Sequence, residues 1–291
     1  MSTNKTTVTR EEKNAILGGV LYLVATPIGN LSDLSERAIK TLSEVDFIAT
    51  EDTRNSGKLL ACLGISKPMV SYHEHNKREK GEGIVSRLLA GESCALVTDA
   101  GTPAISDPGE DLVRLCAERG VTVTSVPGAC AAVNALALSG LATGKFVFEG
   151  FLPVPKAERR ERLQLLQGET RTMILYEAPH KLRTTLDDLL ATFGDRRIAL
   201  CRELTKLNEE IMRTTLSQAV QIYGEREPRG EYVLILEGGT EGPKTSFFAD
   251  MTVEEHVAHY VASGMSKMDA IKAAAKDRGV PKNEIYRKIN V

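Results

Sequence analysis

Short apolar runs bounded by turn residues alternate with helical patterns along this chain. That alternation is the signature of an α/β fold built on a parallel sheet. VLYLVAT (residues 20–26) reads as a buried strand, and DFIAT, SCALVTD and VTVTSVPG read as the next three. After the first of them, LSERAIKTLSEV sets Leu34, Ala38 and Leu42 at helical spacing, with Asp33 as the expected cap. GEDLVRLCAERG reads as a helix closed by Gly120, and ACAAVNALALSG as an Ala-rich helix.

A second set begins near Gly144, where KFVFEGF, RTMILYE, RIALCREL and EYVLILEG read as strands with helical stretches between them. SGLATGK breaks the pattern over residues 139–145. The expected organisation is therefore a loose polar tail over 1–19, one α/β domain over 20–140 and another over 141–240. EGGTEGPKTS (237–246) has the composition of a linker, and only helical patterns follow, over 246–291. A chain of 291 residues is long enough for two domains.

Composition excludes more than it identifies. No run of about 18 apolar residues occurs, so no membrane span is expected. The first residues, MSTNKTTVTREEKN, lack the apolar core of a secretory signal. A net charge of -2 argues against a globally basic nucleic-acid binder but leaves room for local basic patches. The five cysteines are odd in number and form no CxxC. Reduced thiols in a cytoplasmic protein, with no zinc or other metal site, are expected.

Ligands of open α/β sheets bind outside the carboxyl ends of the strands. At one such end stands VTDAGTPAISDPGE (97–110), dense in glycine, proline and short hydroxyl side chains. Gly101 lets a ligand approach the backbone, Pro103 fixes the path, and Thr102 and Ser106 offer hydroxyls beside the free amides of a helix start. VATPIGNLSD (24–33) and SVPGACAA (125–132) occupy equivalent places after two other strands. None of the three is a dinucleotide or Walker loop.

LYLVATPIGNLSDLSERAIKTL, ATEDTRNSGKLL, VTDAGTPAISDPG, VPGACAAVNALALSG, FEGFLP and YEAPHKL occur here in order. Together they resemble the small-subunit ribosomal RNA methyltransferases of the tetrapyrrole methylase superfamily, which use S-adenosylmethionine. The resemblance spans roughly residues 20–240, and a C-terminal helical extension is also typical. It implies a two-domain tetrapyrrole-methylase-like fold with the methyl donor in the cleft, a homodimer, and 2′-O-methylation of a cytidine in 16S ribosomal RNA near the decoding site. Where the superfamily has GDP, this chain has Gly101-Thr102-Pro103. Carried onto matching positions, donor contacts would come from Asp99, Ala100, Gly101, Thr102, Ile105 and Ser106. Pro127, Gly128, Ala129, Cys130 and Ala131 would add a second group. Tyr176, Cys201, Arg202 and Gly230 would close the site from the second domain, and Pro27 and Gly29 would stand on the acceptor side.

Methyl transfer to a hydroxyl needs in-line placement and help with the hydroxyl proton. ATEDTRNS puts Glu51, Asp52 and Arg54 at a strand end, YEAPHKL offers Glu177 and His180, and CRELTKLNEE offers Arg202, Glu203, Thr205 and Lys206. Spacing does not choose among them. Asp52 with Glu51 also fits a helix cap paired to Arg54, His180 fits a local helix-start contact, and Glu203 fits a partner for Arg202.

Two kinds of basic stretch fit phosphates. PKAERRER gathers Lys156, Arg159, Arg160 and Arg162. In the C-terminal segment, Thr252–Glu255 and Ser266–Asp269 open helices, Val257, Tyr260 and Val261 point inward, and Pro281 starts a further short helix. Its Lys267, Lys272, Lys276, Lys282, Arg287 and Lys288 suit a helix-turn-helix-like module on small-subunit RNA or the assembled subunit. A methyltransferase of the same fold acting on a small tetrapyrrole, and a non-catalytic RNA-binding relative, are the alternatives.

Overall fold

The computed structural model describes residues 14–239, 248 and 251–289. The expected tail up to residue 13, and the expected linker from residue 240, lie outside the described residues. The chain divides into two compact units, Met1–Gly239 and Thr240–Val291.

In the first unit, strands β1 (Val20–Val24), β2 (Phe47–Thr50), β3 (Met69–Ser71), β4 (Cys94–Val97) and β5 (Thr122–Val126) form one sheet. Its order is β3-β2-β4-β1-β5, and every pairing is parallel. Helices α1 (Glu36–Glu44), α2 (Thr53–Cys62), α3 (Lys77–Leu89), α4 (Glu110–Glu118) and α5 (Ala131–Leu138) follow these strands in turn. Successive strand residues point to opposite faces, so each strand feeds two cores. Leu21, Phe47 and Leu96 share one face with Ile84, Leu88 and Leu112 of the helices. Tyr22, Val24, Ile48 and Val97 share the other with Ala38 and Leu42.

Strands β6 (Phe146–Phe151), β7 (Thr172–Glu177), β8 (Arg197–Arg202), β9 (Glu210–Thr215) and β10 (Tyr232–Leu236) build the second sheet. Helices α6 (Lys156–Leu165), α7 (Leu182–Phe193) and α8 (Leu216–Glu225) accompany it. The order is β6-β7-β10-β8-β9. Only β6 and β7 run parallel; β10 is antiparallel to both neighbours, and β8 to β9. The parallel-sheet expectation therefore holds for the first sheet and fails for the second. Its physical reason is the short connection from β8 to β9, which permits a hairpin but no parallel crossover.

One face of this sheet packs Leu175, Leu200 and Leu234 against Leu186, Leu189 and Leu216 of the helices. The other face takes α5, whose Ala132, Ala135 and Leu136 lie on Ile174, Ala199, Cys201, Val233 and Ile235. A helix that begins after a strand of the first sheet thus buries its apolar side on the second.

Local details correct two expectations. Ser35, not Asp33, caps α1, accepting from the Ala38 amide at 3.2 Å, because Asp33 belongs to a separate 3-10 turn. Val261 points outward, 43% exposed.

The second unit contains α9 (Val253–Ala262), α10 (Lys267–Arg278) and α11 (Lys282–Ile289) around Val257, Ile271, Ala274 and Ile285. Thr252 and Glu255 form a capping box, and Ser266 caps α10. Among the described residues no helix is long and apolar enough to cross a membrane.

His256, fully buried, accepts at Nδ1 from Arg278 Nε at 3.1 Å, while its Nε2 lies 3.3 Å from Asp277 Oδ2. Arg278 also donates to the Met251 and Thr252 carbonyls at 2.6 and 3.0 Å. Burial first, then the Arg278 charge, hold the imidazole below its ordinary range, against the pull of Asp277. A folded pKa below the unfolded one stabilises above about 6.5, and that stability is lost as pH falls from there through the folded pKa. The Ile271 and Ile285 methyl resonances should therefore report a lower urea midpoint at pH 5.5 than at pH 7.5. His256→Gln should shrink the difference; an equal difference in that variant would refute the assignment to His256.

Candidate active site

Three loops of the first sheet are tied to one another by backbone and hydroxyl contacts. The Thr26 amide donates to the Gly101 carbonyl at 2.9 Å, and the Gly101 amide donates back to the Thr26 carbonyl at 3.1 Å. Thr26 Oγ1 donates to the Thr98 carbonyl at 3.2 Å, and Thr102 Oγ1 to the Ala129 carbonyl at 2.9 Å. The segments after β1, β4 and β5 are therefore fixed relative to each other. Gly101 has φ +92°, and the non-glycine residues Ala104 and Ser106 are also left-handed, at +68° and +59°. Such backbone is costly and persists where its surroundings enforce it. A Cβ on Gly128 would stand 2.9 Å from Ala25 Cβ, so that loop touches the β1 loop with no side chain between.

These loops and the facing part of the second sheet enclose a cavity of about 420 Å³. From the second sheet, the Tyr176 hydroxyl accepts from the Ala132 amide at 3.2 Å, at the start of α5. Its ring stands edge-on to Phe148 and Phe151. Burial pushes the phenol up to about 12, so it stays protonated at neutral pH. Glu177 is buried, with Oε1 taking the Ala178 amide at 2.8 Å and Oε2 taking Thr185 Oγ1 at 2.5 Å. Lys206 Nζ reaches Glu203 at 2.9 Å and Glu231 at 2.7 Å. The Lys206 hydrogen bond holds Glu203 below the usual carboxylate range.

Many of the residues singled out from sequence meet at this cavity. From the first sheet's loops come Asp99, Ala100, Gly101, Thr102, Ile105 and Ser106, then Cys130 and Ala131. From the second come Tyr176, Glu177, Cys201, Glu203 and Lys206. Others stand behind the wall. Pro27, Pro127, Gly128 and Ala129 do not line it, although Ile28 does. Gly230 leaves room for the Glu203 side chain, which a Cβ there would meet at 2.5 Å.

The proton-handling candidates separate in the same way. Asp52 caps α2 and takes the Arg54 guanidinium at 2.8 Å, which holds its carboxyl down at about 2. That pair forms the cap and ion pair, away from the cavity wall. Glu51 is half-buried; burial first, then repulsion from Asp99, raise its pKa. Arg202 pairs with Glu210 at 2.7 Å, so the expected Arg202–Glu203 pairing is replaced by Glu203 on Lys206. Strand β9, which no apolar run in the sequence announces, brings Glu210 beside Arg202. His180 is exposed in a 3-10 turn. Asp107 and Glu231 line the cavity and were not singled out. Asp107 sits inside the quoted glycine-rich loop, and that position was its available signal.

Of the basic residues, Arg159 pairs with Asp188 at 2.7 Å and Arg162 with Glu149 at 2.5 Å, whereas Lys156 and Arg160 are exposed. In the second unit Lys272 pairs with Asp269 and Lys288 approaches Glu284 at 3.9 Å. Lys267, Lys276, Lys282 and Arg287 are exposed. Among the described residues no group of three or more His, Cys, Asp or Glu is arranged to hold a metal ion.

The sequence profile of the family described as Tetrapyrrole (Corrin/Porphyrin) Methylases matches residues 20–220. The chain is 48% identical over 288 residues to a protein of Halalkalibacterium halodurans called ribosomal RNA small subunit methyltransferase I, covering 98% of each chain. It is 45% identical over 270 residues to the protein of that name from a Synechocystis species, covering 92% of this chain and 96% of that one. Among solved structures it is similar in fold to a cobalamin biosynthetic enzyme, cobalt precorrin-4 methyltransferase. The TM-score is 0.55 at 18% identity, with 75% of this chain and 95% of that chain covered.

The geometry at Gly101 generates a test. A Cβ there would lie 3.5 Å from Ile28 Cγ2, and the φ disfavours any side chain. Gly101→Val should weaken S-adenosylmethionine binding by roughly tenfold or more in calorimetric titration, about 1.4 kcal/mol. Gly128→Val should in addition lower the melting temperature, because Ala25 leaves it no space. Unchanged donor affinity in Gly101→Val would sink the placement of the donor at this loop.

Proposed function

Because the chain belongs to the tetrapyrrole methylase family, among the ribosomal RNA small subunit methyltransferase I proteins, we propose that it methylates the ribose 2′-hydroxyl of a cytidine in 16S ribosomal RNA near the decoding site. It is an S-adenosylmethionine-dependent methyltransferase of small-subunit ribosomal RNA. One observation carries the choice of acceptor. The similarity to the Halalkalibacterium ribosomal RNA methyltransferase runs over 98% of both chains at 48% identity, C-terminal helices included. With the precorrin methyltransferase the chain shares a fold over 75% of its length and little sequence, so a tetrapyrrole acceptor has no comparable support.

The cavity fits the donor in size and in wall chemistry. Its volume lies in the range of small-molecule sites. Ile28, Ile105, Leu204 and Val233 supply apolar walls, and carboxylates from both sheets suit a cationic sulfonium. Bound there, S-adenosylmethionine supplies an electrophilic methyl group. The backbone from Asp99 to Thr102, with Cys130 and Ala131, would hold it on one side, and Tyr176 with Cys201 on the other. The interlocked loops keep these groups in place before a ligand arrives, so little reorganisation accompanies binding. Lys206, clamped by Glu203 and Glu231, is a fixed cation among the carboxylates of the wall and suits a phosphate of the incoming RNA. Lys156 and Arg160, together with the exposed cations of the C-terminal helices, would add phosphate contacts. The active form is a cytoplasmic homodimer in this reading.

Small ribosomal subunits from cells lacking the protein, incubated with labelled donor and digested to nucleosides, provide the test. Label in 2′-O-methylcytidine is the expected result. Donor binding with no label in RNA would overturn the acceptor and return it to a small molecule.

A further inference from the structure

We infer that Asp107 takes the proton from the acceptor ribose hydroxyl; the inference rests on the ribose reading above. The base must be a carboxylate that faces the cavity and whose charge no donor or cation already stabilises, because each such partner lowers its basicity. Carboxylates lining the cavity come from Asp99, Asp107, Glu177, Glu203 and Glu231. Glu177 has both oxygens taken, by Ala178 and Thr185. Glu203 holds Lys206 and the Glu231 amide, and Glu231 holds Lys206. Asp99 takes Asn55 Nδ2 at 2.9 Å. Asp107 alone of the five has no hydrogen-bond or ion-pair partner among the described residues.

The backbone, rather than a partner, fixes Asp107. It follows the left-handed Ser106 and precedes Gly109, whose φ is +145° and whose Cβ position would lie 3.0 Å from Leu96 Cδ2 on β4. Ser106 Oγ in turn lies 2.8 Å from where a Cβ on Gly150 would stand, at the bulge of β6. The residue is thus held between the two sheets, half-buried, with its carboxylate free.

Its surroundings give it a suitable strength. Burial first, then repulsion from Glu51 and Asp99, push its pKa up to about 6. Tyr176, a further titratable group of the same wall whose charge Asp107 opposes, stays protonated. Asp107 is therefore mostly ionised at neutral pH yet more basic than an ordinary carboxylate. Lys206 is held charged by its two carboxylates and cannot serve as base. In the step, the ribose O–H bond breaks and its proton goes to an Asp107 oxygen. The hydroxyl oxygen's electron pair forms the bond to the methyl carbon, and the carbon–sulfur pair remains on sulfur as a neutral thioether. Asp107 then releases the proton to water.

The test uses the full chain and small subunits at saturating donor. Asp107→Asn should lower kcat at saturating donor by roughly 100-fold or more, with KM for subunits and melting temperature close to those of the parent. The parent rate should fall below pH 6, and this acid limb should vanish from the residual activity of Asp107→Asn. Glu51→Gln, which removes a repelling charge without touching the cavity wall, should move the limb to lower pH. Parent label in 2′-O-methylcytidine, together with a near-normal rate in Asp107→Asn or a limb that Glu51→Gln leaves in place, would overturn the role of Asp107 alone. Parent label on a base, or none in RNA, would overturn the ribose reading and this inference with it.

Discussion

Helix α5 is the constraint on which the first unit depends. It leaves the first sheet, yet its Ala132, Ala135 and Leu136 are buried on the second. Small side chains allow that close approach, and the Cys201 thiol lies 3.8 Å from the Ala135 carbonyl. The same packing puts the Ala132 amide under the Tyr176 hydroxyl. Two sheets with separate cores are thereby held with their loop ends facing one cavity. Removal of this contact would leave two half-sites, neither able to enclose a ligand.

Electrostatics divide the surface between two tasks. Among the charged groups of the cavity wall carboxylates outnumber the compensated Lys206, while exposed lysines and arginines stand on helices elsewhere. An acidic pocket suits a positively charged donor and would repel a polyanion unless other groups held it. Phosphate contacts at a distance from the reacting hydroxyl are thus a requirement of the charge pattern, since they supply affinity that the pocket itself cannot.

The strongly apolar strands were legible because each buries both faces, and their turn residues marked the loops that line the cavity. Capping signals at Thr252 and Ser266 were legible for the same local reason. Strand β9 was not: EIMRTT is an edge strand with half-buried side chains, so no apolar run announces it. Missing it also hid the pairing of Arg202 with Glu210 and the antiparallel half of the second sheet. Glu51, Asp52 and Arg54 drew attention as polar residues at a strand end, but a helix cap uses the same residues. Asp107 does not stand out in the sequence because spacing does not reveal which carboxylates already have partners. That property depends on Asn55, Thr185 and Lys206, which lie far from it in the chain.

The reciprocal bonds between Thr26 and Gly101, with the Thr102–Ala129 contact beside them, have a kinetic meaning. A binding wall whose loops are closed by their own hydrogen bonds has little disorder left to lose when a ligand arrives. Association with the small donor should then be governed by diffusion into the open cleft and by water leaving it, not by a slow ordering of the loops. Turnover limits would fall on the large substrate, whose ribose must be brought to a pocket that is already shaped.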